Sequence, residues 1–255
     1  MSEASAKKTA GVMVVTGASR GIGAATARLA AAAGYAVVVN YSKDAKGAEA
    51  VAADIVRAGG TARAIRADVA VEADIVRLFA EADRMGPLAA LVNNAAITGP
   101  LGRLDALTHA TLRQVLDVNV AGAFLCAREA VRRMSTRHGG TGGGIVNISS
   151  RAALLGSPGE WIHYAASKGA IETMTIGLAR EVAAEGIRVN AVALGLIATG
   201  MHAASGLPDR IAQMAPTIPM QRAGTPEEAA AGVLWLLSPA AAYVTGAILP
   251  VSGGR

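Results

Sequence analysis

The chain of 255 residues is long enough for one large α/β domain or two small ones, and its hydrophobic fraction of 52% supplies ample material for a core. Because only 17% of the residues are charged, we do not expect disorder over most of the length. The net charge of +5 comes from dispersed lysines and arginines without interleaved aromatic residues, which argues against a nucleic-acid-binding surface.

Short apolar runs alternate with helical patterns along the chain. The predicted strands cover residues 12–15, 35–39, 61–66, 89–92, 145–148, 188–192 and about 248–251. The predicted helices cover residues 24–33, 46–58, 72–85, 111–136, 165–185 and 226–237. Such alternation implies parallel strands joined by right-handed crossovers, with helices on both faces of the sheet. We therefore predict a doubly wound α/β fold of about seven strands, in a single domain over residues 1–255.

Two segments interrupt the alternation. Residues 137–144 are rich in glycine, which predicts a flexible surface turn. Residues 196–225 are long for a connection and contain Pro208, Pro216 and Pro219. This segment is either a substrate lid or a disordered excursion, and we favour the lid.

The expected location follows from what the sequence lacks. No uninterrupted run of ~18 apolar residues is present, and the first residues are polar without the apolar centre of a secretory signal. Cys126 is the single cysteine, so no disulfide can form within the chain. The four histidines lack metal-ligand spacing. We expect a cytoplasmic protein without a membrane span or a bound metal.

A glycine-spaced turn joins the first predicted strand to the first predicted helix. Gly17, Gly21 and Gly23 would let backbone N–H groups approach a pyrophosphate, above the positive end of the helix dipole. Taken alone, this spacing could equally be a plain tight turn. In its strand-to-helix context it predicts a nucleotide site.

A tyrosine and a lysine stand four residues apart in a predicted helix, at Tyr164 and Lys168. That spacing puts both on one helix face, where the ammonium is expected to lower the phenol pKa toward working pH. Tyr164 could then exchange a proton with a substrate oxygen. Ser150, at a strand end upstream, could donate a hydrogen bond to that oxygen.

Together with Asn93-Asn94-Ala95-Ala96 after the fourth strand and Asn119 in the following helix, these motifs resemble the short-chain dehydrogenase/reductase family over nearly the whole chain. The resemblance implies a Rossmann-type sheet and an oxidoreductase whose catalytic residues are Asn119, Ser150, Tyr164 and Lys168. By that analogy Lys168 also binds the nicotinamide ribose, and Asn119 holds a water of a proton relay. The alternative for Asn119 is a buried amide that satisfies backbone groups.

The chain departs from the family pattern at three places. Ser150 precedes Tyr164 by one residue more than usual, and we place the extra residue in the loop 155–160. Ser149 is the alternative, because successive strand residues face opposite ways. Alanine replaces the last glycine of the Asn-Asn motif at Ala96, and Leu194 replaces a proline before Gly195.

Cofactor choice is predicted from charge at the adenosine ribose. Asn40 stands at the second-strand end, where an NAD-selective site places a carboxylate. Arg20, with Ser42 or Lys43, could meet a 2′-phosphate, so we favour NADP(H) over NAD(H). Asp68 stands where the family contacts adenine, and it could also cap the third helix. The positions that the resemblance assigns to the cofactor are Gly17, Ser19, Arg20, Gly21, Ile22, Gly23, Asn40, Ser42, Asp68, Val69, Asn94, Ala95, Tyr164, Lys168, Gly195, Ile197 and Thr199.

These features predict an NADP(H)-dependent oxidoreductase that moves hydride between nicotinamide and a carbonyl or secondary alcohol. The alternatives are a non-catalytic NADP(H)-binding sensor or scaffold and a basic nucleic-acid-binding protein. The expected cleft residues are Leu155, Trp161, His163, Met201 and His202. The overall resemblance to glucose dehydrogenase-like and 3-oxoacyl reductase-like members does not select a substrate. Small residues along the helices 111–136 and 165–185 favour a homotetramer, with a dimer as the fallback, or else packing of these helices on their own sheet.

Overall fold

A computed structural model describes residues 10–201 and 205–255, built around one seven-stranded sheet. The strands are β1 (Val12–Val15), β2 (Ala36–Tyr41), β3 (Thr61–Arg66), β4 (Leu88–Asn93), β5 (Gly143–Ser150), β6 (Ile187–Leu194) and β7 (Ile248–Val251). All neighbours pair in parallel, in the order β3-β2-β1-β4-β5-β6-β7. The predicted doubly wound fold is confirmed.

Helices cover both faces of the sheet. They are α1 (Gly21–Ala32), α2 (Ala45–Arg57), α3 (Glu72–Asp83), α4 (His109–Leu116), α5 (Gly122–Met134), α6 (Ala152–Leu155), α7 (Ile162–Val182), α8 (Arg210–Met214) and α9 (Pro226–Leu237). Alternate strand residues enter two separate cores, as Met13 and Val14 of β1 illustrate. One core packs against α3, α5 and α7, and the other packs against α1, α2 and α9.

The strand order reverses at β1, because β2 lies on one side of it and β4 on the other. The loops that leave β1 and β4 therefore diverge to opposite faces and open a crevice at the carboxyl ends of these strands. The glycine turn and the Asn93-Asn94 motif both follow these strand ends. The topology thus places the two motifs at one edge of the sheet.

The predicted helix 111–136 is divided in the structure. A π-helical turn, Asp117–Ala121, separates α4 from α5 and contains Asn119. Helix α7 begins three residues earlier than predicted, so Tyr164 and Lys168 both lie in its first turns. No local pattern in the sequence signalled the π turn, whose Asn119 side chain is bound to residues outside the helix.

Strands β2, β4, β5 and β6 are longer than predicted, and β5 and β6 are extended the most. β5 begins at Gly143, inside the predicted glycine-rich turn, where a Cβ would lie only 2.6 Å from the main-chain oxygen of Ala89 on the neighbouring strand. β6 continues to Leu194, which pairs with Ser150 on one side and Val251 on the other. A proline at this position would lack the N–H of a ladder residue, so the replacement by leucine extends the sheet.

The small residues of the two long helices divide between core and surface. On α5, Gly122, Ala127 and Ala130 are buried within the chain's own core. On α7, a Cβ built at Gly169 or Gly177 would meet no atom within 4 Å, so this face is open.

Within the described residues, no helix is long and apolar enough to cross a membrane.

Candidate active site

The turn after β1 contains three glycines, and at two of them there is no room for a Cβ atom. Gly17 has φ of 62°, and a Cβ there would lie 2.9 Å from the Cα of Ala95. At Gly23 a Cβ would lie 2.6 Å from Nδ2 of Asn94. Gly21 has φ of 55° and opens α1. The backbone is therefore bare at the N-terminal end of a twelve-residue helix, which fits a dinucleotide pyrophosphate.

Thr16 and Asn94 hold this turn against the end of β4. The Oγ1 atom of Thr16 accepts hydrogen bonds from the N–H groups of Asn94 and Ala95, at 2.9 and 3.0 Å. Nδ2 of Asn94 donates to the main-chain oxygens of Thr16 and Gly17, at 2.8 and 3.0 Å. Val69 is buried beside Ala95 and Gly122 under the same turn. The sequence reasoning missed Thr16 as a positioning residue, although it immediately precedes Gly17.

Asn40, at the end of β2, is buried and fully hydrogen-bonded within the chain. Its side chain is 1% exposed, and its Oδ1 accepts from the N–H of Gly17 at 3.2 Å. Its Nδ2 donates to the main-chain oxygens of Ile65 and Ala67, at 3.3 and 3.0 Å. The Asn40 side chain therefore connects the glycine turn to the end of β3.

Cations lie at the outer side of the turn. Arg20 and Lys43 are exposed and form no ion pair with any residue that the structure describes. Arg66 joins this corner, since its Nε donates to the main-chain oxygen of Ser42 at 3.3 Å. Asp44 caps α2 by accepting from the N–H of Gly47 at 3.0 Å. The positive charge at this corner suits an anionic phosphate group better than an uncharged hydroxyl group.

Asp68 stabilises the turn after β3. It accepts from the hydroxyl of Ser42 at 3.3 Å and from the N–H of Ala70 at 3.0 Å. The residue before α3 is Val71, so the alternative role of Asp68 as the helix cap is wrong.

Tyr164 and Ser150 form the centre of the site. Burial raises the pKa of Tyr164, and a hydrogen bond with Ser150 lowers it only in part. The Oγ of Ser150 also accepts from the N–H of Ala152 at 3.1 Å. The expectation that Tyr164 has a lowered pKa is therefore wrong for this structure, and the phenol keeps its proton at neutral pH.

Lys168 lies below this pair. Its side chain is 3% exposed, and its Nζ lies 5.6 Å from the ring centroid of Tyr164. Nζ donates to the main-chain oxygen of Ile148 at 2.7 Å. Burial lowers the pKa of Lys168 to about 8. The ammonium is thus on the predicted face, and its hydrogen bond goes to the strand.

Ser149 also lines the cavity, but its hydroxyl is bonded to a helix residue. Its hydroxyl donates to Oε1 of Glu172 on α7 at 2.8 Å and is buried. Of the two candidate serines, Ser150 is the one that lowers the pKa of Tyr164. Between Ser150 and Tyr164 lie the short α6 and the loop that precedes α7, and the placement of the extra residue in that loop stays a prediction.

Asn119 binds backbone and a serine. Its Oδ1 accepts from the N–H of Ile97, and its Nδ2 donates to the oxygen of Ile97, both at 2.9 Å. Nδ2 also donates to Oγ of Ser167 at 3.0 Å. The side chain therefore has the role that the sequence left as its alternative, and any relay through Asn119 would use another atom.

The segment after β6 closes one side of the site. A Cβ at Gly195 would lie 2.7 Å from the Cα of Ser252, so the chain turns tightly there. Ile197 is buried and lines the cavity, and it forms an isolated bridge with Gly224. Thr199 lies next to Gly21, so this segment reaches the glycine turn.

A cavity of about 450 Å³ joins these parts. Its walls include Ile22, Ser150, Tyr164, Lys168, Ile197 and Thr199. Among the predicted cleft residues, Leu155, Trp161 and Met201 line it. His163 instead lies 2.7 Å from the main-chain oxygen of Thr98, and His202 falls outside the described residues.

Four charged cavity residues were not found from the sequence. They are Arg151, Glu160, Arg210 and Arg255. They come from separate segments of the chain, and no short motif joins them.

A nucleotide-binding turn and a tyrosine–serine–lysine group at one edge of a doubly wound sheet define the class of α/β oxidoreductases. A family model described as enoyl-(acyl carrier protein) reductase matches residues 17–255. The chain is 51% identical over 245 residues to the uncharacterized oxidoreductase YgfF of Escherichia coli K12, which covers 96% of this chain and 99% of that protein. It is 41% identical to a 3-oxoacyl-(acyl-carrier-protein) reductase of Synechocystis, over 96% of this chain and 97% of that protein.

A solved structure resembles the chain closely. The crystal structure of a short chain dehydrogenase from Burkholderia cenocepacia J2315 in complex with NADP matches with a TM-score of 0.88 at 34% identity. The match covers 96% of this chain and 98% of that chain. The chain therefore belongs to the short-chain dehydrogenase/reductase family of oxidoreductases.

Proposed function

We propose that the protein is an NADP(H)-dependent oxidoreductase that transfers hydride between nicotinamide and a carbonyl or secondary alcohol. The observation that carries this proposal is one cavity whose walls bring together Tyr164, Ser150 and Lys168 and which reaches the glycine turn through Thr199. A sensor needs the turn but has no use for a proton-transferring pair, so this pair weighs against the non-catalytic alternative.

The nicotinamide supplies or accepts the hydride when it is bound. Tyr164 holds its proton at neutral pH and is placed to donate it to a substrate oxygen during carbonyl reduction. Ser150 can donate a second hydrogen bond to that oxygen and stabilise its developing negative charge. Lys168 provides a positive charge on the same helix face while its bond to Ile148 fixes its position.

The exposed cations support NADP(H) over NAD(H). Arg20 and Lys43 flank the turn, and Arg66 contacts the backbone of Ser42. An unpaired guanidinium can form charge-assisted hydrogen bonds with a 2′-phosphate, which NAD(H) lacks. That a relative of the family has been solved with NADP is consistent with this choice.

The direct test is a panel of ketones and secondary alcohols, followed by NADPH absorbance at neutral and alkaline pH. Cofactor-dependent turnover of at least one member is expected. If the cofactor binds tightly but no carbonyl oxidises NADPH and no alcohol reduces NADP⁺, the sensor alternative is favoured instead.

We also propose a homotetramer, with a dimer as the fallback. The open face of α7, with its exposed Ile176, and the exposed Phe124 of α5 support association through these helices. Sedimentation at micromolar concentration tests this, and a monomer would contradict it.

The single domain with its lid over residues 196–225, the cytoplasmic location and the absence of nucleic-acid partners remain proposals from the sequence.

A further inference from the structure

The wall of the cavity carries several positive side chains. Arg151, Lys168, Arg210 and Arg255 line it, against the single carboxylate of Glu160 among the described lining residues. A neutral substrate does not by itself require arginine side chains on the wall of a cavity that is otherwise largely apolar. Their individual partners show which of them remains available.

Two of the four cations are already satisfied. Arg210 on α8 forms a two-pronged salt bridge with Glu160, with N–O distances of 2.5 and 2.7 Å, and lies over the ring of Trp161. Lys168 donates to the strand at Ile148. Glu160 is therefore already paired with Arg210.

Arg255 is held in place by its backbone. Its main-chain oxygen accepts from Nε of Arg151 at 2.7 Å and from the hydroxyl of Ser252 at 2.9 Å. Its guanidinium has only a weak contact with the sulfur of Met214, at 3.8 Å, and pairs with no carboxylate in the part of the chain that the structure describes. A fixed backbone and a free guanidinium at a cavity wall are what recognition of an anion requires.

Resting on the proposed function, we infer that Arg255 binds a carboxylate of the substrate, and that Arg151 is a positioning residue for it. The substrate class is then an oxo acid or hydroxy acid whose carboxylate is separate from the reacting carbon. The carboxylate would lie at the Arg255 wall while the reacting oxygen meets Tyr164 and Ser150. Arginine suits this task because its planar N–H groups match both oxygens of a carboxylate.

The neighbouring charges agree with this assignment. Burial lowers the pKa of Arg255, and the charge of Arg210 lowers it further, while Glu160 opposes the change. A bound anion would relieve the repulsion between these two guanidinium groups.

The test compares oxo acids with their methyl esters, which keep the carbonyl but lose the negative charge. Acetoacetate and 4-oxopentanoate are two suitable acids, because their chain lengths differ. We expect wild-type kcat/KM to favour at least one acid over its ester by ~10-fold or more. In Arg255→Gln this advantage should largely vanish through a higher KM for the acid, with the ester little changed.

The control is Arg137→Gln, which removes the same charge from an exposed arginine before the amino end of β5, away from the cavity. It should keep the wild-type preference for the acid. An ester preference in the wild type, or an equal loss for acid and ester in Arg255→Gln, would overturn the inference.

Binding separates this inference from the proposed function. The thermal shift produced by each oxo acid, with NADP⁺ present, should be larger for wild type than for Arg255→Gln. If the shift depends on Arg255 while no compound is turned over, the oxidoreductase assignment fails and the anion site stands. If turnover occurs but neither the shift nor KM depends on Arg255, the anion site is wrong and the oxidoreductase assignment stands.

Discussion

The Nζ atom of Lys168 donates a hydrogen bond to the main-chain oxygen of Ile148 at 2.7 Å, near the carboxyl end of β5. The bond ties the first turns of α7 to the strand that carries Ser150. Because Tyr164 lies one helical turn before Lys168, the same contact fixes the tyrosine relative to the serine. Burial in this position lowers the pKa of Lys168 to about 8.

Lys168→Met tests the burial of that charge. The folded pKa of about 8 lies below the unfolded value of ~10.4, so between these pH values the unfolded chain holds the extra proton. The free energy of unfolding contributed by Lys168 should therefore rise with pH over that window and level off above it. Chemical denaturation across the window should show this rise in wild type and not in Lys168→Met. The control is Lys46→Met, which replaces an exposed lysine and should behave as wild type. Identical pH dependence in all three would contradict the burial of the charge.

Substitutions of Ser150 and Ser149 should have different effects. Ser150→Ala should lower kcat by about 10²–10³, as loss of an oxyanion-stabilising donor typically does. Ser149→Ala removes the hydroxyl that donates to Glu172, so it should lower the free energy of unfolding by about 1 kcal/mol and leave kcat within a few-fold. Steady-state kinetics and denaturation of both variants decide this. The reverse ranking of kcat would move the hydrogen-bonding role to Ser149.

Cofactor preference should depend on Arg20. NADPH should bind at least ~10-fold more tightly than NADH, equivalent to about 1.4 kcal/mol. Arg20→Ala should remove most of this difference and leave NADH affinity nearly unchanged, because NADH has no 2′-phosphate. Fluorescence titration of wild type, Arg20→Ala and the control Arg137→Ala with both cofactors measures it. Equal wild-type affinities would show that the pocket tolerates either ribose.

The raised pKa of Tyr164 predicts opposite pH profiles for the two reaction directions. Carbonyl reduction needs the protonated phenol and should fall at alkaline pH, whereas alcohol oxidation needs the phenolate and should rise. Initial rates at saturating cofactor over the alkaline range measure both directions. Parallel profiles would indicate that another group carries the proton.

The fold could be predicted because its signals are local. Apolar runs that alternate with helical patterns predict a parallel sheet. The spacing of Gly17, Gly21 and Gly23 predicts a turn, and Gly17 and Gly21 have positive φ angles in the structure. The pairing of Tyr164 with Lys168 followed from helical spacing. These inferences require no knowledge of distant segments.

What could not be predicted depends on contacts between distant segments. Asn40 is buried because main-chain oxygens of Ile65 and Ala67, about 25 residues away, accept from its amide. The pKa of Tyr164 reflects burial in the folded cavity, which helical spacing alone does not report. Arg255 reaches the cavity because β7 ends beside β6, so it carries no signal next to the catalytic motif.

The most direct test of the account is the turnover of Tyr164→Phe, measured with an NADPH titration of the same preparation. The variant loses the phenolic proton but keeps the ring beside Lys168. We expect kcat to fall by at least ~100-fold while NADPH affinity stays close to wild type, since a positioned acid or base typically contributes 10²–10⁴. Turnover within a few-fold of wild type, with cofactor binding intact, would contradict the assignment of Tyr164 as the general acid/base.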